Sequence, residues 1–227
     1  MKEKSNQLAI VLVSGGMDSL VTAAIANENH EKMAFLHLNY KQKTEEKELD
    51  CFNKISSFYN IIDRFKKTID VSFLKQIGGS SLTDDTIEVK KFISESNIIP
   101  DSYVPFRNTH IVAMAVSWAE VIGAKKIYIG AVYEDSSGYP DCRPSYYTAL
   151  NKLIEEGTKE KDITVITPVI YMRKDEIINK AIELNAPLEY SWSCYARGDK
   201  ACGECDSCVL RLNGFKKAGI IDPIDYL

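Results

Sequence analysis

Two groups of residues in this 227-residue chain have the types and spacing to do chemistry. The first is Ser14-Gly15-Gly16-Met17-Asp18-Ser19, which follows directly on the apolar run 8–13. A buried strand that breaks at paired glycines and restarts as the helical pattern 20–26 makes an anion site. Glycine lets the backbone reach positive φ and approach a ligand closely. The N–H groups of the turn and of the helix N-terminus then face the anion. Ser14 and Ser19 add hydroxyl donors at the two ends of the loop. No Gly-Lys-Ser/Thr closes it, so it is not a Walker A loop. The second group is Cys194-x7-Cys202-x2-Cys205-x2-Cys208, four of the six cysteines. Such spacing lets four thiolates close the tetrahedral shell of a structural zinc. An iron–sulfur cluster is the rival reading, and a redox Cys-x-x-Cys explains only two of the four. Spacing and compartment favour zinc, and Gly203 suits the sharp turn such a knuckle needs.

The rest of the chain sets the context for these groups. With 45% hydrophobic and 26% charged residues it can bury a full core. The longest apolar stretch, 111–123, is interrupted by Ser117 and Glu120 and is too short to span a bilayer. The N-terminus leads straight into the first strand, so a cytoplasmic protein without a signal peptide is expected. Six cysteines in a reducing compartment do not read as a disulfide framework. Cys51 falls in a helical pattern and reads as a small core residue. Net charge is −4 with no dense basic block, which argues against direct nucleic-acid binding.

Apolar runs alternate with helical patterns, as a parallel sheet covered on both faces requires. Strands are expected at 8–13, 33–38, 61–69, 126–131 and 163–166. Helices are expected at 20–26, 44–59, 108–122, 145–156 and 174–184. Residues 77–99 read as a loop or excursion. Ligands in such sheets bind beyond the carboxyl ends of the strands, so the loops after Val13, Leu38 and Ala131 should converge.

The loop 14–19 resembles the SGGxDS pyrophosphate loop of the N-type ATP pyrophosphatases (the PP-loop superfamily). Four further segments narrow the likeness. They are Leu38-Asn39-Tyr40-Lys41-Gln42, Val104-Pro105-Phe106-Arg107-Asn108-Thr109, Ser137-Gly138-Tyr139-Pro140-Asp141-Cys142-Arg143-Pro144, and Ser193-Cys194-Tyr195. With the phosphate loop and the cysteines, they resemble the 7-cyano-7-deazaguanine (preQ0) synthase family of queuosine-precursor biosynthesis, from residue 8 to Asp222-Pro223. The resemblance implies an α/β fold like the adenine nucleotide alpha hydrolases. It places a PP-loop domain at 1–190 and a zinc-binding segment at 191–227 packed on it. It also implies a homodimer and a ligase. That ligase turns 7-carboxy-7-deazaguanine and ammonia into a nitrile through an adenylated carboxylate and an adenylated amide, releasing AMP and pyrophosphate. The length leaves no room for a glutaminase module, so free ammonium is the expected nitrogen source.

On this likeness Ser14, Gly15, Gly16, Met17, Asp18 and Ser19 cradle the ATP pyrophosphate, and Asp18 orients the loop or approaches Mg²⁺. Lys174 contacts phosphate as a point charge. Arg107 and Asn108 meet phosphate or ribose, with a salt bridge and helix cap as the alternative. Asp141 pairs with the N–H edge of a guanine-like ring, and Arg143 holds the substrate carboxylate. An internal Asp141–Arg143 salt bridge is the alternative for that pair. Tyr40, Gln42, Tyr139 and Trp192 complete the expected substrate side, although packing is the default for each aromatic taken alone. Cys194, Cys202, Cys205 and Cys208 take the zinc. His37, in a strand, reads as a core residue.

The chain departs from the family where Lys41 and Phe106 stand in place of glycine. Those departures leave open a diverged relative with another acceptor. Two other classes compete: a tRNA-thiolating or lysine-adding relative, and a zinc-knuckle nucleic-acid binder. Asp199, Glu204 and Asp206 among the cysteines argue against the last.

Overall fold

A computed structural model of the chain describes residues 3–84, 86–91, 99–133 and 138–227. Ser137, the start of one family segment, and part of the expected 77–99 excursion lie outside the described residues. Five parallel strands form one sheet in the order β3-β2-β1-β4-β5. They are β1 (Ser5–Leu12), β2 (His30–Asn39), β3 (Lys66–Asp70), β4 (Lys126–Ile129) and β5 (Thr164–Ile166). Seven helices accompany them among the described residues. They are α1 (Met17–Asn29), α2 (Glu45–Phe58), α3 (Phe73–Ile77), α4 (Arg107–Ile122), α5 (Pro144–Gly157), α6 (Lys174–Glu183) and α7 (Asp206–Ala218).

Alternation along the strands divides the core. Ile10, Leu12 and Leu36 face a cluster completed by Val112, Ala115 and Trp118 of α4 and by Leu150 and Ile154 of α5. Ala9, Val11 and Phe35 face the opposite cluster, with Leu20 and Val21 of α1, Phe52 and Ile55 of α2, Ile177 of α6 and Phe215 of α7. Burial on both faces explains why the central strands read as continuous apolar runs rather than alternating ones.

Three details differ from the sequence expectation. The third strand begins at Lys66 rather than residue 61, because Asn60 at φ 54 and a 3-10 turn over Asp63–Phe65 intervene. The short helix α3 precedes the expected excursion. Helix α7 was not anticipated. It closes on α6 at Gly214, where an added Cβ would lie 2.7 Å from the Lys174 Cβ.

Chain order reverses at β1, whose neighbours are β2 and β4. The crevice of a doubly wound sheet opens at such a switch point, beyond the carboxyl ends of the strands. The sheet thus presents the ends of β1, β2 and β4 to a common space.

Candidate active site

A cavity of about 240 Å³ occupies that crevice. Leu12 and Val13 at the end of β1, Leu36 and Leu38 of β2, and Ile129 and Gly130 at the end of β4 form its floor. The three loops expected to converge do so.

One end of the cavity is the loop 14–19. Gly15 adopts φ +90, and a Cβ there would meet the Glu48 carbonyl oxygen at 2.6 Å. Only glycine fits that turn. The loop is tied to itself: the Ser14 N–H donates to Ser19 Oγ (3.2 Å), the Gly16 N–H to Ser14 Oγ (3.3 Å), and Ser19 Oγ donates to the Gly16 carbonyl (2.8 Å). Helix α1 starts at Met17 without a side-chain cap, so its first N–H groups have no intrahelical acceptor. Lys174, at the first position of α6, places Nζ 2.8 and 2.7 Å from the two carboxylate oxygens of Asp18. Gly130 lets β4 press on that turn, since a Cβ would fall 2.7 Å from the Asp18 carbonyl carbon. Behind the loop, the Trp192 N–H donates to the Gly15 carbonyl (2.9 Å).

The other end is assembled from distant segments. Arg107, the first residue of α4, donates from Nη1 to the Tyr40 hydroxyl (3.0 Å), while its buried Nε meets no hydrogen-bond partner among the described residues. Burial pushes Tyr40 up to about 12, against the lowering influence of the Arg107 guanidinium. Tyr139 is held by Ser102 (2.8 Å), and Tyr195 closes the wall. Glu48, from the first turn of α2, also lines the cavity. Its Oε1 accepts from Thr44 Oγ1 (2.6 Å) and its Oε2 from Gln42 Nε2 (2.8 Å). Burial raises its carboxyl above the ordinary value, with Thr44, Gln42 and Arg107 opposing.

The structure therefore brings Ser14, Gly16, Met17, Asp18, Ser19, Tyr40, Arg107, Asn108, Tyr139, Lys174 and Cys194 to one cavity. Gly15 lies behind it, and Gln42 reaches it through Glu48 and the Tyr40 N–H. Asp141 is not on the wall. Its Oδ2 accepts from the Asn108 N–H (3.0 Å), and its carbonyl accepts from Asn108 Nδ2 (2.9 Å), so it anchors the start of α4. Burial raises its carboxyl too, against the Asn108 hydrogen bond. Arg143 is exposed, outside the wall, and among the described residues no ion pair joins it to Asp141. Glu48, Ser193 and Ser207 line the cavity without having been anticipated. For Glu48 the one signal available was a charge in the same helical pattern as Phe52 and Ile55, which ordinarily marks a solvated face.

The four cysteine sulfurs all lie within 4.8 Å of one another. One tetrahedral ion with metal–sulfur bonds of about 2.3 Å sets sulfur–sulfur distances of about 3.8 Å, so the set fits a mononuclear ion. Backbone N–H groups of Cys202, Glu204 and Cys205 point at the sulfurs (3.4–3.5 Å). Gly203 makes the turn at φ +74. Cys194 belongs both to this cluster and to the cavity wall. Cys51 is buried beside the cluster, as its helical position suggested.

Residues 8–219 match the family model for "Queuosine biosynthesis protein QueC". A relative from Chlorobium chlorochromatii, named 7-cyano-7-deazaguanine synthase, is 57% identical over 96% of this chain and 95% of its own length. One of the same name from Chlorobaculum tepidum is 54% identical over 96% of both chains. Among solved structures, the U34-tRNA thiolase NcsA of Methanococcus maripaludis with its [4Fe-4S] cluster aligns at a TM-score of 0.51 and 16% identity. That alignment covers 95% of this chain and 68% of the thiolase. A 4-thiouridine synthetase–RNA complex with bound ATP aligns at 0.51 and 19% identity, over 92% of this chain and 53% of the synthetase. At such identities the two structures establish the fold alone.

Proposed function

The chain belongs to the QueC family of queuosine biosynthesis proteins, and from that premise we propose that it is an ATP-dependent 7-cyano-7-deazaguanine synthase. The observation that carries the reading is a single cavity. The phosphate loop with its Asp18–Lys174 pair forms one end, and the Tyr40–Arg107–Tyr139 wall forms the other. ATP and a planar acid can be held there with the α-phosphorus between them.

The loop N–H groups and the hydroxyls of Ser14 and Ser19 hold the β- and γ-phosphates. Lys174 adds a cation beside them, and Asp18 is the carboxylate placed to hold Mg²⁺, which would supply charge neutralisation to the phosphates. The carboxylate oxygen of 7-carboxy-7-deazaguanine attacks the α-phosphorus and pyrophosphate leaves. Ammonia then attacks the acyl carbon and AMP departs, giving the amide. The amide oxygen attacks the α-phosphorus of a second ATP with departure of a second pyrophosphate, and loss of the two N–H protons with AMP gives the nitrile. Little covalent chemistry is asked of the protein, whose work is positioning and charge stabilisation. Arg107, whose buried Nε meets no hydrogen-bond partner among the described residues, is the donor for the substrate carboxylate or the α-phosphate. Asn108 keeps that arginine at the head of α4 through Asp141. Arg143 stands too far outside the wall to be preferred for the carboxylate.

Cys194, Cys202, Cys205 and Cys208 hold a structural zinc whose closed shell fixes Ser193 and Tyr195 at the cavity. The chain is read as a PP-loop body, 1–190, with a zinc-binding segment, 191–227, packed on it. Among the described residues no helix is long and apolar enough to cross a membrane. A cytoplasmic homodimer using free ammonium, without direct nucleic-acid binding, completes the proposal.

The test is incubation with ATP, Mg²⁺, ammonium and 7-carboxy-7-deazaguanine, read by mass spectrometry. The nitrile with AMP and pyrophosphate is expected. AMP formation that stops at the adenylate or amide would favour a diverged relative with another acceptor. No AMP from folded, zinc-loaded protein would overturn the ligase reading. Metal analysis on the same sample is expected to find one zinc per chain and no iron.

A further inference from the structure

The wall of the cavity holds two carboxylates, and they are not equivalent. Asp18 is neutralised by Lys174 at 2.7 Å. Glu48 has no salt-bridge partner within 4.0 Å among the described residues, and Thr44 and Gln42 each donate one hydrogen bond to it. An ionised carboxylate offers about four lone-pair sites on its two oxygens. One site per oxygen is used, and one per oxygen remains. Two parallel acceptors on one carboxylate match two parallel N–H donors, such as a ring lactam N–H beside an exocyclic amine.

We propose that Glu48 is the specificity-determining residue that reads the lactam N–H and exocyclic amine of the deazaguanine ring. The inference rests on the function proposed above and gives it a residue for the ring edge. Asp141, the earlier candidate, is occupied by the N-terminus of α4 and lies off the wall.

Three features support Glu48 in this role. Its position is fixed, because the backbone of α2 packs so closely on the phosphate loop that only glycine fits at 15. Its oxygens are oriented by Gln42, whose Oε1 in turn accepts from the Tyr40 N–H (3.0 Å). Tyr40, Tyr139 and Tyr195 line the same end, so a ring edge held at Glu48 has aromatic faces beside it. The burial that raises the carboxyl is offset when two N–H donors arrive, since hydrogen bonds to the charged form favour ionisation.

A site built to hydrogen-bond a substrate N–H rejects an analogue that lacks it, because the buried acceptor is left unpaired. The experiment compares 7-carboxy-7-deazaguanine with its analogue lacking the exocyclic amine, on wild type and Glu48→Gln. Wild type is expected to prefer the amino substrate by about tenfold or more in kcat/KM. Glu48→Gln is expected to raise the KM for the amino substrate about 10- to 100-fold, to leave the ATP KM within about twofold, and to lose the preference between the two substrates. A variant that is merely misfolded would lose ATP binding as well, and Glu48→Asp supplies a second test by recovering part of the preference. Retained discrimination in Glu48→Gln, or an effect confined to the ammonium KM, would overturn the assignment. A wild type that makes no nitrile would instead overturn the function on which it rests.

Discussion

The two ends of the cavity are built in opposite ways. The phosphate end is built on six consecutive residues, closed by hydrogen bonds among their own serines and glycines, with Lys174 the distant side chain that the loop's Asp18 holds. The substrate end takes Tyr40 from the end of β2, Glu48 from α2, Arg107 from α4 and Tyr195 from the cysteine segment. They differ in backbone strain as well. At the phosphate end the positive φ falls on Gly15, where it costs little. At the substrate end it falls on Lys41 (φ 62) and Phe106 (φ 58), the neighbours of Tyr40 and Arg107. A site for a common cosubstrate is local and unstrained, whereas the site for the particular acid is assembled from the fold and carries strain at its edges.

The comparison breaks most severely at Gly15. Gly15→Ala puts a Cβ 2.6 Å from a backbone oxygen at φ +90. It should cost about 3 kcal/mol, a melting temperature lower by about 6–12 °C, with loss of ATP binding. Calorimetry and an ATP titration check this, and a near-normal Tm with intact binding would mean the loop is not prebuilt. Next comes Lys174→Met, which leaves Asp18 without its cation. The expected result is a fall in kcat of about 100-fold or more, measured as AMP release at saturating substrate.

A smaller effect is expected at His37, buried in β2 beneath the loop 14–19. His37 stacks on Phe52 and bonds the Val13 carbonyl through Nδ1 (2.9 Å). Burial lowers its pKa from 6.5. Below that value the unfolded chain binds a proton that the folded chain refuses, so stability rises with pH there. Wild type should lose stability relative to His37→Gln as pH falls below 6.5 and match its slope above. Parallel melting curves across that range would contradict the reading. The smallest effect is relief of strain. Phe106→Gly and Lys41→Gly each remove a left-handed non-glycine residue, and each should stabilise by up to about 1 kcal/mol, net of the flexibility glycine adds to the unfolded chain. Lys41 gives up only an exposed pair with Glu45 (3.3 Å) in doing so.

This contrast also explains what could be read from the sequence. The phosphate end was legible because its residues are contiguous and its glycines have a local reason. The cysteines were legible because metal geometry dictates their spacing. The parallel sheet followed from the apolar runs of β1, β2 and β4. The substrate end was legible in part: Tyr40, Arg107 and Tyr139 stand in the family segments, whereas Glu48 does not, because a helix shows its charged residues alike in sequence. Glu48 differs from Glu45 and Glu46 only in what the fold brings opposite it. Asp141 sits in a family segment, yet tertiary contact turns it toward Asn108. Helix α7 escaped notice because its buried face includes Arg211, which is 1% exposed and paired with Asp222 at 2.7 Å. A charge at a core position erases the amphipathic pattern that would have announced the helix. Strand β3, at the sheet edge with Lys66 and Lys67 in it, lacks the apolar run for a similar reason.

The central claim is that substrate oxygen attacks the α-phosphorus at a single ATP site, once as carboxylate and once as amide. It is tested most directly with 7-carboxy-7-deazaguanine carrying ¹⁸O in both carboxylate oxygens. The account predicts two AMP per nitrile, each AMP carrying one labelled oxygen, and unlabelled pyrophosphate. Label in ADP, phosphate or water, or a single AMP for each nitrile, would contradict it.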